Sequence, residues 1–173
     1  MTSKPLHEFL NALLQRCREN GTSVQESGIR VSTQLLTGEI IIVFHIDSDE
    51  GRKSLKMEDE GIRICDFIFY YTKENEVNEV VCLLELKGTE LLRASDQVKK
   101  THQRLIALTN EAIHSKYHRN LTWRICICLR GQAPATSQRI RDELKELFGK
   151  HNVEIRHGVK HHDIGPLLRR NAK

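Results

Sequence analysis

Two carboxylates and a lysine stand out in two apolar stretches: Asp66 in IRICDFIFYYT (62–72), and Glu85 and Lys87 at the end of VVCLLELK (80–87). Both runs are nearly continuous in apolar residues, the pattern of strands covered on both faces. An ionised side chain buried there is costly unless it is paired or bound to a metal, so the charges mark either a structural cluster at a strand end or chemistry. Glu85 and Lys87 are two positions apart, which puts both on one face of an extended strand, separated by roughly 7 Å of rise. The polar stretch KENEVNE joins the two runs, and a hairpin there brings Asp66 alongside. Two carboxylates converging near a backbone carbonyl make an oxygen-rich site suited to Mg2+, with Mn2+ as a substitute. A lysine beside such an ion orients or helps to deprotonate an attacking water and stabilises negative charge on a phosphate.

The surrounding elements must hold these residues in place. A first helix is predicted from Ser3 as cap and Pro5 in the first turn, with Leu6, Phe9, Leu10, Leu13 and Cys17 on one stripe and Gly21 as its end. From Ile29 to Ile46, β-branched residues around a break at Thr37-Gly38 read as one or two strands, a hairpin in the second case. The stretch 47–61 is polar and without period, and is predicted to be a mobile surface loop. After the two apolar strands come a long amphipathic helix (about 91–115, with Val98, Leu105, Ala112 and Ile113 towards one side), a strand (121–129), a helix (137–148, with Ile140, Leu144 and Leu147 inward) and a short strand (153–156). Helices interleaved with strands in this way indicate an α/β layer structure with a central mixed β-sheet flanked by helices.

The spacing of Asp66, nineteen residues, then Glu85-Leu86-Lys87 resembles the active-site signature of the PD-(D/E)XK nuclease superfamily, the restriction-endonuclease-like fold. The resemblance implies a core of order αβββαβ, supplied here by about residues 5–130, with a C-terminal αβ extension. It implies that Asp66 and Glu85 hold one or two divalent ions, that the Leu86 carbonyl coordinates, and that Lys87 assists the nucleophile. Gln97, in the following helix, resembles a glutamine found at this place in resolvase-like and repair-type members. Cys65 stands where the motif's name has proline. The family's extra carboxylate, often on the first helix, falls on Glu8, although helical geometry sets Glu8 almost opposite the Leu6/Leu10/Leu13 stripe; Glu26 and Glu39 are alternatives. The activity implied is metal-dependent hydrolysis of a phosphodiester, of DNA first, leaving 5′-phosphates. A homodimer, or a partner protein that supplies specificity, also follows from the resemblance. The rival reading is a nuclease-fold subunit that binds nucleic acid or another protein and does not cut.

Composition agrees with one globular domain over 1–173: 173 residues, 39 % hydrophobic and 29 % charged. The longest apolar run, Ile40 to Phe44, is far short of the ~18–20 residues that span a bilayer, and the N-terminal residues lack the apolar run and cleavage site of a secretory signal. No membrane association is predicted. Residues 1–149 hold 21 basic and 21 acidic side chains, so the net +4 comes from 150–173, with six basic and two acidic. The basic tail, about 160–173, serves either non-specific phosphate contact or solubility. Lys99, Lys100 and Arg104 on the long helix are candidates for contact with the phosphate backbone. Cys17, Cys65, Cys82, Cys126 and Cys128 are odd in number and, Cys17 apart, fall in apolar runs, which predicts reduced buried thiols and a cytoplasmic, reducing location. Cys126 and Cys128 share a strand face but lack a CxxC or His-x-His partner, so no structural zinc is expected. His161-His162-Asp163 is read as a solvated loop, and Trp123, Tyr70 and Tyr71 as core.

Overall fold

In the computed structural model, which describes residues 5–59, 61–112 and 121–170, the apolar runs form strands and the 3.6-residue stripes form helices. The chain runs through α1 (Pro5–Leu14), a 3-10 turn (Gln15–Cys17), β1 (Ser23–Glu26), β2 (Ile29–Ser32), β3 (Glu39–His45), α2 (Asp49–Leu55) and β4 (Phe67–Lys73). It continues through β5 (Glu79–Lys87), α3 (Leu91–Ala112), β6 (Leu121–Leu129), α4 (Ser137–Phe148), β7 (Val153–His157), β8 (His161–Asp163) and α5 (Gly165–Arg169). The central sheet has the order β3-β4-β5-β6-β7. Its first three strands are antiparallel, and β6 and β7 join in parallel after the α3 and α4 crossovers, so the sheet is mixed. A second sheet, β1-β2-β8, is a hairpin extended by a parallel strand.

Alternation along the central strands divides the core in two. Ile68, Tyr70, Val81, Leu83, Ile125 and Ile127 face Leu6, Leu10 and Leu14 of α1, Val98 and Leu105 of α3, and Ile140 and Leu144 of α4. On the opposite face Phe67, Phe69, Leu84, Leu86, Cys126 and Cys128 pack with Val24, Ile29 and Val31 of the small sheet and with Ile164, Leu167 and Leu168. The result is an α/β layer structure with one face of the mixed sheet covered by helices, as predicted, and the other by the small sheet and α5.

Several expectations need correction. The first helix ends at Leu14, with Cys17 in the 3-10 turn, so Gly21 is not its terminus; Ser3 lies outside the described residues. The 29–46 region is not a hairpin, because β2 and β3 belong to different sheets. The hairpin is β1–β2, closed by Ser27 and Gly28, both at positive φ as a two-residue primed turn requires. The stretch 47–61 is not an unstructured loop: Ser48 caps α2 by accepting a hydrogen bond from the Gly51 N–H, and Leu55 is fully buried. Gly51 is required there, since a Cβ would sit 2.2 Å from the Ile46 carbonyl oxygen. The apolar run 62–72 becomes a strand only from Phe67. On α4, Ile140 and Leu144 are buried as predicted, but Leu147 is exposed and Phe148 is buried in its place. Ile113 and the end of the predicted long helix lie outside the described residues.

The tail differs most. Residues 161–169 form β8 and α5, and Arg124, itself buried, donates to the Leu167 and Arg170 carbonyls at the C-terminal end of α5. This segment is part of the core and not a solvated terminus.

Candidate active site

The β4–β5 ladder pairs Phe67 with Leu84, and one step further Asp66 stands opposite Glu85. Glu85 and Lys87 continue the helix-facing row of Val81 and Leu83, while Asp66 continues that of Ile68 and Tyr70. Both carboxylates are fully buried and the Lys87 side chain is 19 % exposed, so Lys87 stands between the pair and solvent.

Each carboxylate uses one oxygen on the other's strand. Asp66 Oδ2 accepts the Leu86 N–H at 2.6 Å, and Glu85 Oε2 accepts the Asp66 N–H at 3.1 Å. The remaining oxygens, Asp66 Oδ1 and Glu85 Oε1, have no hydrogen bond. Lys87 Nζ lies 2.8 Å from Glu85 Oε1 and 3.8 Å from Asp66 Oδ1, an ion contact that falls short of hydrogen-bond geometry.

Burial raises the Asp66 carboxyl well above the ordinary range, opposed by the Leu86 N–H, with Glu26 adding to the rise. Glu85 is also raised, by burial first and then by the charge of Asp66. For Lys87, burial alone lowers the ammonium pKa, but Glu85 and Asp66 outweigh it and the net shift is upward. The cluster sets two carboxylates against one lysine, with Asp66 Oδ1 and Glu85 Oε1 met by Lys87 alone. That donor set fits Mg2+ or Mn2+.

The segment leading into Asp66 is anchored to α3. Gln97, buried, donates from Nε2 to the Ile64 carbonyl at 2.7 Å, and its Oε1 has no partner. Thr101 Oγ1 accepts the Cys65 N–H at 2.9 Å while donating to the Gln97 carbonyl. Gln97 is thus a positioning residue as the structure stands, and Thr101, which the sequence did not single out, shares the task. Leu86, expected to offer its carbonyl, holds Asp66 through its N–H.

Of the three alternatives for the extra carboxylate, Glu26 is the one in the electrostatic field of Asp66 and Lys87, with its own pKa raised by burial. Glu8 is exposed on α1, and no interaction among the described residues links it to the pair. Glu39 is at the far end of β3, bound to Arg169 and Tyr71. Asp47, also missed by the sequence reading, follows β3 beside the Asp66 carbonyl and adds negative charge near Asp66, while Arg52 holds its Oδ1 at 2.9 Å.

The cations proposed for phosphate are all engaged within the chain. Lys99 pairs with Glu143 at 3.3 Å, Lys100 with Asp96 at 2.9 Å, and Arg104 donates to the Leu55 carbonyl at 2.6 Å, closing the C-terminal end of α2. Arg104 is therefore a packing residue in the structure, not a free phosphate ligand.

Among the described residues, no helix is long and apolar enough to cross a membrane. Compared with protein-family models, with curated proteins and with solved structures, the chain finds no match, so its own residues carry the functional argument.

Proposed function

We propose that the chain is a divalent-metal-dependent nuclease of the restriction-endonuclease-like kind that hydrolyses phosphodiester bonds of DNA. The observation that carries the reading is the pair of buried oxygens without hydrogen bonds, Asp66 Oδ1 and Glu85 Oε1, on adjacent strands under the single cation Lys87. Two buried carboxylates sharing one cation are costly to hold ionised, a state that suits a pair able to receive a second positive charge. The order α1, β3, β4, β5, α3, β6 agrees with the αβββαβ core that the signature implies, and supports the same reading.

Asp66 and Glu85 would hold Mg2+, and the charge of Glu26 adds to the negative field at Asp66. When bound, the ion supplies Lewis-acid stabilisation of charge developing on the phosphate. With a second counter-charge on the carboxylates, Lys87 Nζ would be released from its contacts with Glu85 and Asp66. Lys87, an ammonium at the rim, would orient the water and stabilise negative charge on the phosphate, while the water's proton passes to bulk solvent. Gln97 and Thr101 keep Asp66 in register with Glu85 throughout.

The test is incubation of the purified chain with supercoiled plasmid, linear duplex, single strand and RNA in Mg2+, Mn2+ or EDTA. Cleavage of DNA by wild type with Mg2+ or Mn2+, absent in EDTA and in Glu85→Ala, is the expected result. Cleavage that survives Glu85→Ala sinks the assignment, and DNA binding without cleavage under every condition would favour a non-cutting nuclease-fold subunit.

A further inference from the structure

On the face of the central sheet away from Asp66 and Glu85, Cys126 and Cys128 of β6 point the same way, with their sulfurs 3.8 Å apart. β8, held in parallel against β2, lays His162 over them. The two Sγ atoms and an imidazole nitrogen all lie within 4.8 Å of one another, with both cysteines fully buried and His162 mostly so. Glu154, the β7 residue in register with Cys126, places Oε1 3.0 Å from His162 Nε2.

We infer that Cys126, Cys128 and His162 form a zinc site, with Glu154 placed to orient the imidazole. It is independent of the nuclease reading and lies on the opposite face of the sheet. The sulfur spacing supports it: with Zn–S near 2.3 Å, tetrahedral geometry sets two sulfurs about 3.8 Å apart. A disulfide is not an alternative, since residues two apart on a strand hold their Cα atoms roughly 7 Å apart, beyond disulfide range.

Donor chemistry separates this site from the first. Two thiolates and an imidazole select a soft or borderline ion such as zinc, whereas Asp66 and Glu85 offer only hard oxygens. Charge balance is also provided. Arg156 Nε sits 2.8 Å from Glu154 Oε1, and buried Arg124, whose Nε has no partner, stands on the same strand and face. Each thiol releases its proton to solvent as the ion binds, so binding tightens as pH rises. A bound ion ties β6 of the central sheet to β8 of the small one.

The test uses the full chain, reduced and stripped of metal, titrated with Co2+ and then Zn2+. Expected are a thiolate-to-cobalt charge-transfer band that saturates with one thiolate-bound Co2+ per chain, displacement by Zn2+, and a higher melting temperature with stoichiometric Zn2+. Cys128→Ser and His162→Gln should each weaken binding at least about tenfold, while Cys17→Ala, in the other core, should leave it unchanged. If the variants fail to fold, zinc-edge X-ray absorption of the wild-type complex decides, with two sulfur ligands expected. A wild type without the thiolate band, or a zinc complex with no sulfur ligand, overturns the site.

Discussion

The central sheet buries carboxylates at both ends, and the two ends treat them in opposite ways. At one end Glu39 is saturated. Oε1 accepts from Arg169 Nε at 2.7 Å and from the Tyr71 hydroxyl at 3.2 Å, and Oε2 from Arg169 Nη2 at 2.8 Å and the Leu36 N–H at 2.9 Å. Its pKa falls to about 2, chiefly because Arg169 hydrogen-bonds the ionised form. At the other end Asp66 and Glu85 repel each other, keep one oxygen each without a hydrogen bond, and are raised. Glu39, which serves the fold, is given every partner it can use, while Asp66 and Glu85 are held short of them, as the proposed metal site requires.

Substitutions separate the two ends. The largest effect is on cleavage: Glu85→Ala and Lys87→Ala should each lower the rate by about a thousandfold or more while the chain still melts cooperatively. A well-folded variant of either kind that cuts at the wild-type rate would erase the distinction. Next is Arg169→Ala, which leaves Glu39 buried without its cation and should cost about 2–4 kcal/mol, reduced from the fully buried case because the Arg169 side chain is 25 % exposed. Urea melts at pH 7 measure it, and cleavage per folded molecule should not change.

The third prediction concerns pH and metal, and its sign differs between the ends. Glu39 is depressed in the folded state, so its stabilisation is present above the ordinary Glu pKa near 4.3 and is lost as pH falls towards about 2. Asp66 and Glu85 are raised, so the native state holds their protons more tightly and stability declines as pH climbs from about 4 through their native pKa values. Metal-free Asp66→Asn should therefore melt about 2–4 °C above metal-free wild type at pH 7.5, with the gap closing near pH 4. Mn2+ at a hundredfold excess over its dissociation constant should add about 2.7 kcal/mol to wild type and little to Asp66→Asn. An equal metal-induced shift in both would move the ion to another site.

The smallest effects are at the helix surface. Lys99→Ala and Lys100→Ala should each change stability by less than about 0.5 kcal/mol, because exposed ion pairs contribute little. If the phosphate backbone displaces Glu143 and Asp96 from these lysines, each variant should make the salt dependence of DNA affinity shallower by about 0.9 in log–log slope. An unchanged slope would return both to ordinary surface pairs.

The contrast between the ends was partly legible beforehand. β5 and β6 are read from unbroken apolar runs, and the two-residue spacing of Glu85 and Lys87 fixes a shared face wherever the strand starts. Asp66 opposite Glu85 follows once a hairpin joins the runs. What escaped the sequence reading depends on short elements with little pattern. In SVQE one apolar residue cannot announce β1, and Gly51 looks like a helix breaker until the close approach of Ile46 is known. HHDIGPLLRR reads as a basic tail until Arg124 and Glu39 are seen to bind its far end. Glu39 itself, an alternative third ligand in sequence, acquires its structural role from Arg169, 130 positions away. Such pairings leave no local trace.

The parallel pairing of Arg30–Ser32 with His161–Asp163 also sets a schedule for synthesis. A ribosome adding roughly 5–20 residues per second delivers the second segment on the order of ten seconds after the first. Until then the β1–β2 hairpin has no third strand, and the face of β4 and β5 that carries Phe67, Phe69 and Leu84 has lost the cover of Ile164, Leu167 and Leu168. The helix-facing core, whose α1, β3, β4, β5 and α3 all precede residue 113, can assemble in that interval, so the nascent chain spends it half built with one apolar face open, the condition that chaperones recognise.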